Sequence, residues 1–291
     1  MDLYEIKKLA IISLASDDDL FDALVMKGGT ALDTIYKVTG RQSIDIDYSM
    51  QDDPFQNYEI ASLKEKIEKL FISEFSKNNY HVFDFHFEKR PSQPSENRPA
   101  NWYGYRIDFK VIPDSEKSND LEKDRKKALS LGKKEKKNFE IDISPFEFTK
   151  YKIKTSFEDY NIYVYDPRMI LIEKLRSICQ QMNEYKSIYQ LGKVKGRAKD
   201  FYDISLLIDK NLVALNDENK ESFRIMIHGI FGAKEVDIKL LDLIPQYRNL
   251  HESDFLSVQA TVPSTETIQN FDYYFEKVNL FILRLKEFGI V

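Results

Sequence analysis

Between Lys27 and Tyr48 the chain reads KGGTALDTIYKVTGRQSIDIDY, where two kinds of chemistry-bearing residue meet. Gly28, Gly29 and Thr30 offer unhindered backbone N–H groups at a helix start, where a phosphate can sit. Asp45 and Asp47 alternate with Ile44, Ile46 and Tyr48, so on a strand both carboxylates leave one face and the apolar residues face inward. Carboxylates sharing a face repel each other, and a cation relieves the repulsion. Oxygen ligands beside a phosphate cradle favour Mg²⁺ or Mn²⁺ over zinc. Together these parts are the minimum equipment for metal-assisted phosphoryl or nucleotidyl transfer.

Such chemistry commonly uses a third carboxylate on a neighbouring strand. Asp142 in FEIDIS is the first choice, because Phe139, Ile141 and Ile143 alternate with Glu140, Asp142 and Ser144; Asp108 in YRIDFKV is the runner-up. In ILIEKLRSICQQ, Lys174 lies three residues after Leu171 and four before Ile178, close to an apolar helix face. Either its stem lies on the core with the amine in solvent, or the amine neutralises a triphosphate in a cleft. Asp200 and Asp203, in RAKDFYD, are neighbours on one helix face. Asp200 there either complements the helix dipole or orients Lys174 or the nucleotide. His81, His86, His228 and His251 have no metal-ligand spacing, and Trp102, Tyr103 and Tyr105 before a strand read first as core packing and second as a base-stacking platform.

The elements that must position these residues follow from periodicity. Helices are expected over 2–15, 18–26, Thr30–Val38 (stopped by Gly40), Asn57–Asn78, Pro167–Met182, Ala198–Asp209, Lys220–Gly229 and Thr267–Phe288. Strands are expected over Ser43–Ser49, Tyr80–Lys89, Trp102–Ile112, Phe139–Ser144 and near Ile162–Tyr165, with a crossover helix within Asp120–Leu131. The fold class is α+β: a mixed α/β domain over 1–165, then a helical domain over 166–291, with a small-molecule cleft expected between them.

Composition limits the function classes. A hydrophobic fraction of 42% and a charged fraction of 31% describe a soluble globular protein. No apolar run approaches the ~18 residues of a membrane span, and the N-terminus reads as an amphipathic helix without a signal-peptide cleavage site. Cys179 is the only cysteine, which excludes an internal disulfide and suits a reducing cytoplasm. A net charge of −5 argues against a surface that grips nucleic acid everywhere. The basic stretches are local: Lys117–Lys137, interleaved with acids, reads as solvated surface, and Lys186–Lys199 reads as surface or as a polyanion-attracting patch.

In order, KGGTAL at Lys27–Leu32, R-x-S-x-D-x-D at Arg41–Asp47, IDIS at Ile141–Ser144, EKLR at Glu173–Arg176 and R-x-KD-x-x-D at Arg197–Asp203 resemble the AbiEii family of nucleotidyltransferase toxins. That family lies in the polymerase-β-like nucleotidyltransferase superfamily. The resemblance implies a nucleotidyltransferase lobe with a mixed sheet followed by a helical C-terminal lobe. It implies Asp45 and Asp47 as metal ligands, with Asp142 matched by strand context. Nucleotide contacts are implied at Gly28, Gly29, Thr30, Arg41, Ser43, Lys174 and Asp200. Tyr48 stands where the family usually has phenylalanine or leucine. Further implications are NTP as substrate, the tRNA 3′ end as acceptor, an AbiEi-type antitoxin encoded nearby, and a role in phage defence or growth arrest. The alternatives are a nucleotide-binding regulator without turnover, or transfer to a protein or a small hydroxylated molecule.

Overall fold

The computed structural model describes residues 3–38, 41, 43, 45–93, 96, 98–130, 136–189 and 192–291. Gly40, Ile44 and part of the Lys117–Lys137 and Lys186–Lys199 stretches lie outside them. The chain packs into two units, the first comprising Met1–Thr30, Ser43–Pro94 and Ala100–Val164, the second Ala31–Gln42, Ser95–Pro99 and Tyr165–Val291. Among the described residues, no helix is long and apolar enough to cross a membrane.

The first unit is a seven-stranded mixed sheet in the order β3-β4-β5-β2-β1-β7-β6. Its elements are α1 (Leu3–Ala15), α2 (Asp18–Ala23), β1 (Val25–Lys27), α3 (Gly28–Thr30), β2 (Ile46–Ser49), α4 (Ile60–Lys77), β3 (Tyr80–Arg90), β4 (Gly104–Pro113), α5 (Leu121–Lys127), β5 (Phe139–Ser144), β6 (Ile153–Phe157) and β7 (Tyr160–Val164). Leu63, Ile67, Phe71 and Phe75 recur every fourth residue of α4 and are all buried. Phe71 meets Phe85 and Phe109 with ring centroids 5.3 and 5.1 Å apart, which fastens α4 to the sheet. Burying each such side chain contributes about 1.5–3 kcal/mol. Tyr103 and Tyr105 donate to buried Asp53 at 2.5 and 2.8 Å, so this aromatic cluster anchors the loop after β2.

Two local expectations are corrected. The helix expected over 18–26 ends at Ala23, and Val25, Met26 and Lys27 form β1, a fully buried central strand. β1 pairs antiparallel with β2 and parallel with β7. A three-residue strand has no period to distinguish it from a helix end; its ladder partners decide its state. The helix after the glycine pair is α3 continued by a π-helical turn, Ala31–Ile35, in which Tyr36 N–H reaches Ala31 O at 3.0 Å. Edge strand β6 carries lysine, threonine and serine on largely exposed positions and had no alternating signal.

The second unit holds α6 (Pro167–Cys179), α7 (Asn183–Ile188), α8 (Ala198–Asp209), α9 (Lys220–Gly232), α10 (Arg248–Glu252), α11 (Leu256–Gln259) and α12 (Phe271–Glu287). α6 starts as its sequence predicts: Asp166 caps it by accepting Arg168 N–H at 2.8 Å, with Pro167 in the first turn. It packs against α8 and α9 and is buried almost all round, so every charge it carries needs an internal partner.

Candidate functional site

The sheet sets one row of charged residues across four strands. Lys27 of β1 stands opposite Asp47 of β2, Asp47 opposite Asp142 of β5, and Asp142 opposite Arg106 of β4. Cross-strand partners project from the same face, so a lysine and an arginine flank two carboxylates. Ile46, Ile141 and Ile107 form the adjacent row on the other face, and all three are buried. Asp45 lies just before β2 and is exposed. Lys27 is buried and lies 3.8 Å from Glu147.

The glycine turn is built around Asp47. Gly28 has φ +68°, and a Cβ there would stand 2.7 Å from Asp47 Oδ2. Only glycine allows the backbone to take this conformation so close to the carboxylate. Thr30 Oγ1 donates to Asp45 O at 2.6 Å, and Ser43 Oγ donates to the same carbonyl at 3.2 Å. A hydroxyl carries one proton, so both side chains are spent on placing Asp45.

The charge balance on this face explains what it can attract. Partial desolvation raises the Asp45 carboxyl above the usual carboxylate range; Glu140 and Asp142 add repulsion, while Lys136 and Arg106 pull it back. Lys136 pairs with Glu140 at 2.6 Å. Asp142, expected as a third metal ligand, is engaged at both oxygens by Arg106: Nε to Oδ1 at 2.7 Å and Nη2 to Oδ2 at 3.0 Å. Asp108 stands opposite Glu140, one row further along, with Arg90 Nη2 at 3.5 Å. Among the described residues no three metal-ligating side chains converge. Asp45 and Asp47 nevertheless suit a hard divalent cation, because both are oxygen donors and Asp47 lies against a turn that a Cβ would fill.

The second unit gathers the other predicted residues. Lys174 Nζ donates to Asp203 Oδ2 at 2.7 Å and to Asp200 Oδ1 at 3.1 Å. Arg41 Nη2 and Nε grip Asp203 at 2.7 and 3.2 Å, and Arg197 Nε reaches Asp200 Oδ2 at 2.5 Å. Lys174 is buried, so it is not a lysine whose amine reaches solvent. Burial opposes its charge, but Asp203 and Asp200 outweigh that and hold the ammonium above its ordinary value. Burial likewise works against charge on both aspartates; Arg197 and Lys174 keep Asp200 low, and Lys174 and Arg41 keep Asp203 low. Three cations, Arg41, Lys174 and Arg197, thus surround the two carboxylates.

The start of α8 is fixed by residues that sequence reasoning did not select. Arg197 N–H donates to His251 Nδ1 at 3.2 Å, and Ala198 N–H donates to Asp254 Oδ2 at 3.2 Å. A Cβ at Gly196 would run into Asp254 and stand 2.9 Å from Leu250 O. His251 is fully buried, and burial pushes its pKa down from 6.5 to about 4. Between those values the unfolded chain binds a proton that the folded chain refuses, so stability falls as pH drops. Urea unfolding should show a loss of about 1.4 kcal/mol per pH unit from this residue, about 3 kcal/mol in all between pH 6.5 and 4. That component should vanish in His251→Gln; parallel pH profiles for the two proteins would refute it.

The basic stretch before α8 presents Lys193 and Lys195 to solvent, while Lys186 Nζ turns back to Gly192 O and Lys193 O at 3.2 and 2.8 Å.

The family model for the nucleotidyl transferase AbiEii toxin, type IV TA system, matches residues 11–277. Among solved structures, the chain is similar to a candidate nucleotidyltransferase from H. pylori, with 13% identity, a TM-score of 0.50, and 99% of this chain and 95% of that one covered. It is also similar to JHP933 from Helicobacter pylori, with 14% identity, a TM-score of 0.50, and coverage of 98% and 91%. At such identities the likeness extends to the fold. No curated protein matches the sequence.

Proposed function

The chain belongs to the AbiEii family of nucleotidyltransferase toxins of type IV toxin–antitoxin systems, and from that premise we propose that it transfers a nucleoside monophosphate from an NTP to the 3′ end of tRNA. The observation that carries this reading is the Asp45–Asp47 pair seated against the Gly28 turn. A divalent cation held by Asp45 and Asp47, Mg²⁺ or Mn²⁺, would neutralise triphosphate charge and lower the pKa of the attacking hydroxyl. The 3′-hydroxyl oxygen forms the new bond to the α-phosphorus as the α–β phosphoanhydride bond breaks and pyrophosphate leaves.

The chain's own groups have separable tasks in this reading. Backbone N–H groups at Gly28, Gly29 and Thr30, which begin a helix and lack intrahelical acceptors, receive phosphate oxygens. Thr30 and Ser43 contribute by fixing Asp45. Asp142 serves as a further ligand or as the base for the hydroxyl proton once Arg106 releases it. Lys174, held by Asp203 and Asp200, supplies positive charge toward the triphosphate in this reading. Arg41, through Asp203, and Asp200 hold that lysine in place. The exposed Lys193 and Lys195 attract the RNA backbone, an interaction that weakens with salt. The family implies an antitoxin partner; an AbiEi-type protein encoded nearby, a cytoplasmic setting and a role in phage defence complete the proposal.

The test is incubation of the purified chain with each labelled NTP, bulk tRNA and Mg²⁺. Label should enter tRNA, and Asp45→Ala should reduce the rate by at least about a thousandfold, the scale of losing a principal electrostatic element. Label in protein alone would replace tRNA with a protein acceptor. Unchanged transfer by Asp45→Ala would overturn the assignment of the site.

A further inference from the structure

Helix α12 buries Tyr274, Phe275, Val278, Phe281 and Leu285 at helical spacing inside its own unit. The opposite face of a surface helix is ordinarily polar, yet this one carries Leu280 and Leu283, 61% and 52% exposed, with exposed Tyr273 on the same side. Leu212, also exposed, joins the patch: Lys277 pairs with Asp209 and Arg284 Nη2 donates to Leu215 O at 3.2 Å, so the turn holding Leu212 runs along this side of the helix. Four exposed large apolar side chains thus share one face. Charges frame its leucines symmetrically. Glu276 lies four residues before Leu280 and Arg284 four after it, both exposed. Among the described residues neither has a charged partner, since Glu276 makes no ion pair and Arg284 meets only the Leu215 carbonyl.

We propose that this face of α12 pairs with the same face of a second copy of the chain, the two helices running antiparallel across a two-fold axis at Leu280. Under that symmetry each residue meets the one equally far on the other side of Leu280, so Glu276 of each copy stands beside Arg284 of the other. Leu280 packs on Leu280, and Leu283 covers the aliphatic stem of Lys277. The charges choose this register: an axis midway between Leu280 and Leu283 would set Glu276 against Glu287, two carboxylates. A second copy is the occupant because the face is complementary to itself in both leucines and charges, as an isologous interface requires. With 17 residues, α12 supplies about 25 Å of helix, an interface at the small end of the known range and so a reversible dimer.

Sedimentation equilibrium of the full chain between about 1 and 100 µM reads the mass directly. Wild type should move from the monomer mass toward twice that value; a monomer throughout would leave the face to a different partner and overturn the proposal. Leu280→Asp, which sets two like charges on the axis, should stay monomeric at every concentration. Its thermal unfolding at the lowest concentration should match wild type, because the side chain is exposed. A dimer that survives Leu280→Asp would use another face, which equally overturns the proposal. Glu276→Arg and Arg284→Glu each turn both attractive pairs into repulsive ones, and each should weaken dimerisation about tenfold. Mixing these two variants restores both pairs in the mixed dimer, so the mixture should associate as tightly as wild type although neither variant does so alone. A mixture no tighter than its components would exclude antiparallel pairing about Leu280 and end the proposal.

Discussion

Gly28→Ala should slow nucleotidyl transfer by at least about a hundredfold while leaving the protein folded. Two effects combine at this position. The backbone stands at φ +68°, where an L side chain costs about 1–2 kcal/mol. The new methyl would also stand 2.7 Å from Asp47 Oδ2, so the carboxylate or the turn must shift. A displacement on the order of 1 Å in a reacting constellation is worth about a hundredfold in rate. The stability loss should stay near the backbone term, because Asp47 is only partly buried and can move outward. Gly232→Ala is the matched control: a Cβ there meets nothing within 4 Å, and the residue ends α9. It should leave the rate unchanged and be neutral or stabilising by up to about 1 kcal/mol. Label transfer and thermal unfolding on both variants decide the matter. A Gly28→Ala enzyme with wild-type rate would mean that Asp47 need not sit where it does.

The largest stability effect is expected at Asp203. This carboxylate is fully buried and is shared by Arg41 and Lys174, both of which are also buried. Asp203→Ala removes the buried carboxylate that Arg41 and Lys174 share while Asp200 keeps its bond to Lys174, and breaking such a network costs about 3–5 kcal/mol. Asp200→Ala should cost clearly less. Lys174 keeps Asp203 in that variant, and the other partner of Asp200, Arg197, is exposed enough to turn to water. Urea unfolding at neutral pH ranks the two; equal losses would show that the network does not hinge on Asp203. Removing the whole cluster with apolar residues of similar volume is a different experiment, and the desolvation argument makes it far less destructive than either single change.

The parts legible in the sequence are those whose signal is local. Ile141, Asp142 and Ile143 alternate over a full strand, and the structure gives them that strand, β5. The Ala198–Asp209 helix keeps the predicted bounds, and its Asp200 and Asp203 point to one lysine. What escaped is decided by partners distant in sequence. Val25–Lys27 becomes a strand because β2 and β7 lie on either side of it. YRIDFKV offered Arg106 and Asp108 on the same face with equal right. Only the register of β4 on β5 sets Arg106, and not Asp108, opposite Asp142. His251 lies more than fifty residues from the backbone N–H that it accepts, with no motif to announce it.

The register of β2 also protects the site against gradual decay. Side chains along a strand alternate, so sliding β2 by one residue would carry Asp47 into the layer that now holds Ile46 and Tyr48, and would put those two into solvent. An uncompensated buried carboxylate costs several kcal/mol, and the lost burial of the isoleucine and tyrosine adds to it. The arrangement that fills the core is therefore the same one that presents the carboxylates. Mutational drift in this strand has no half-active intermediate register to pass through: the chemistry inherits the error correction of the hydrophobic core.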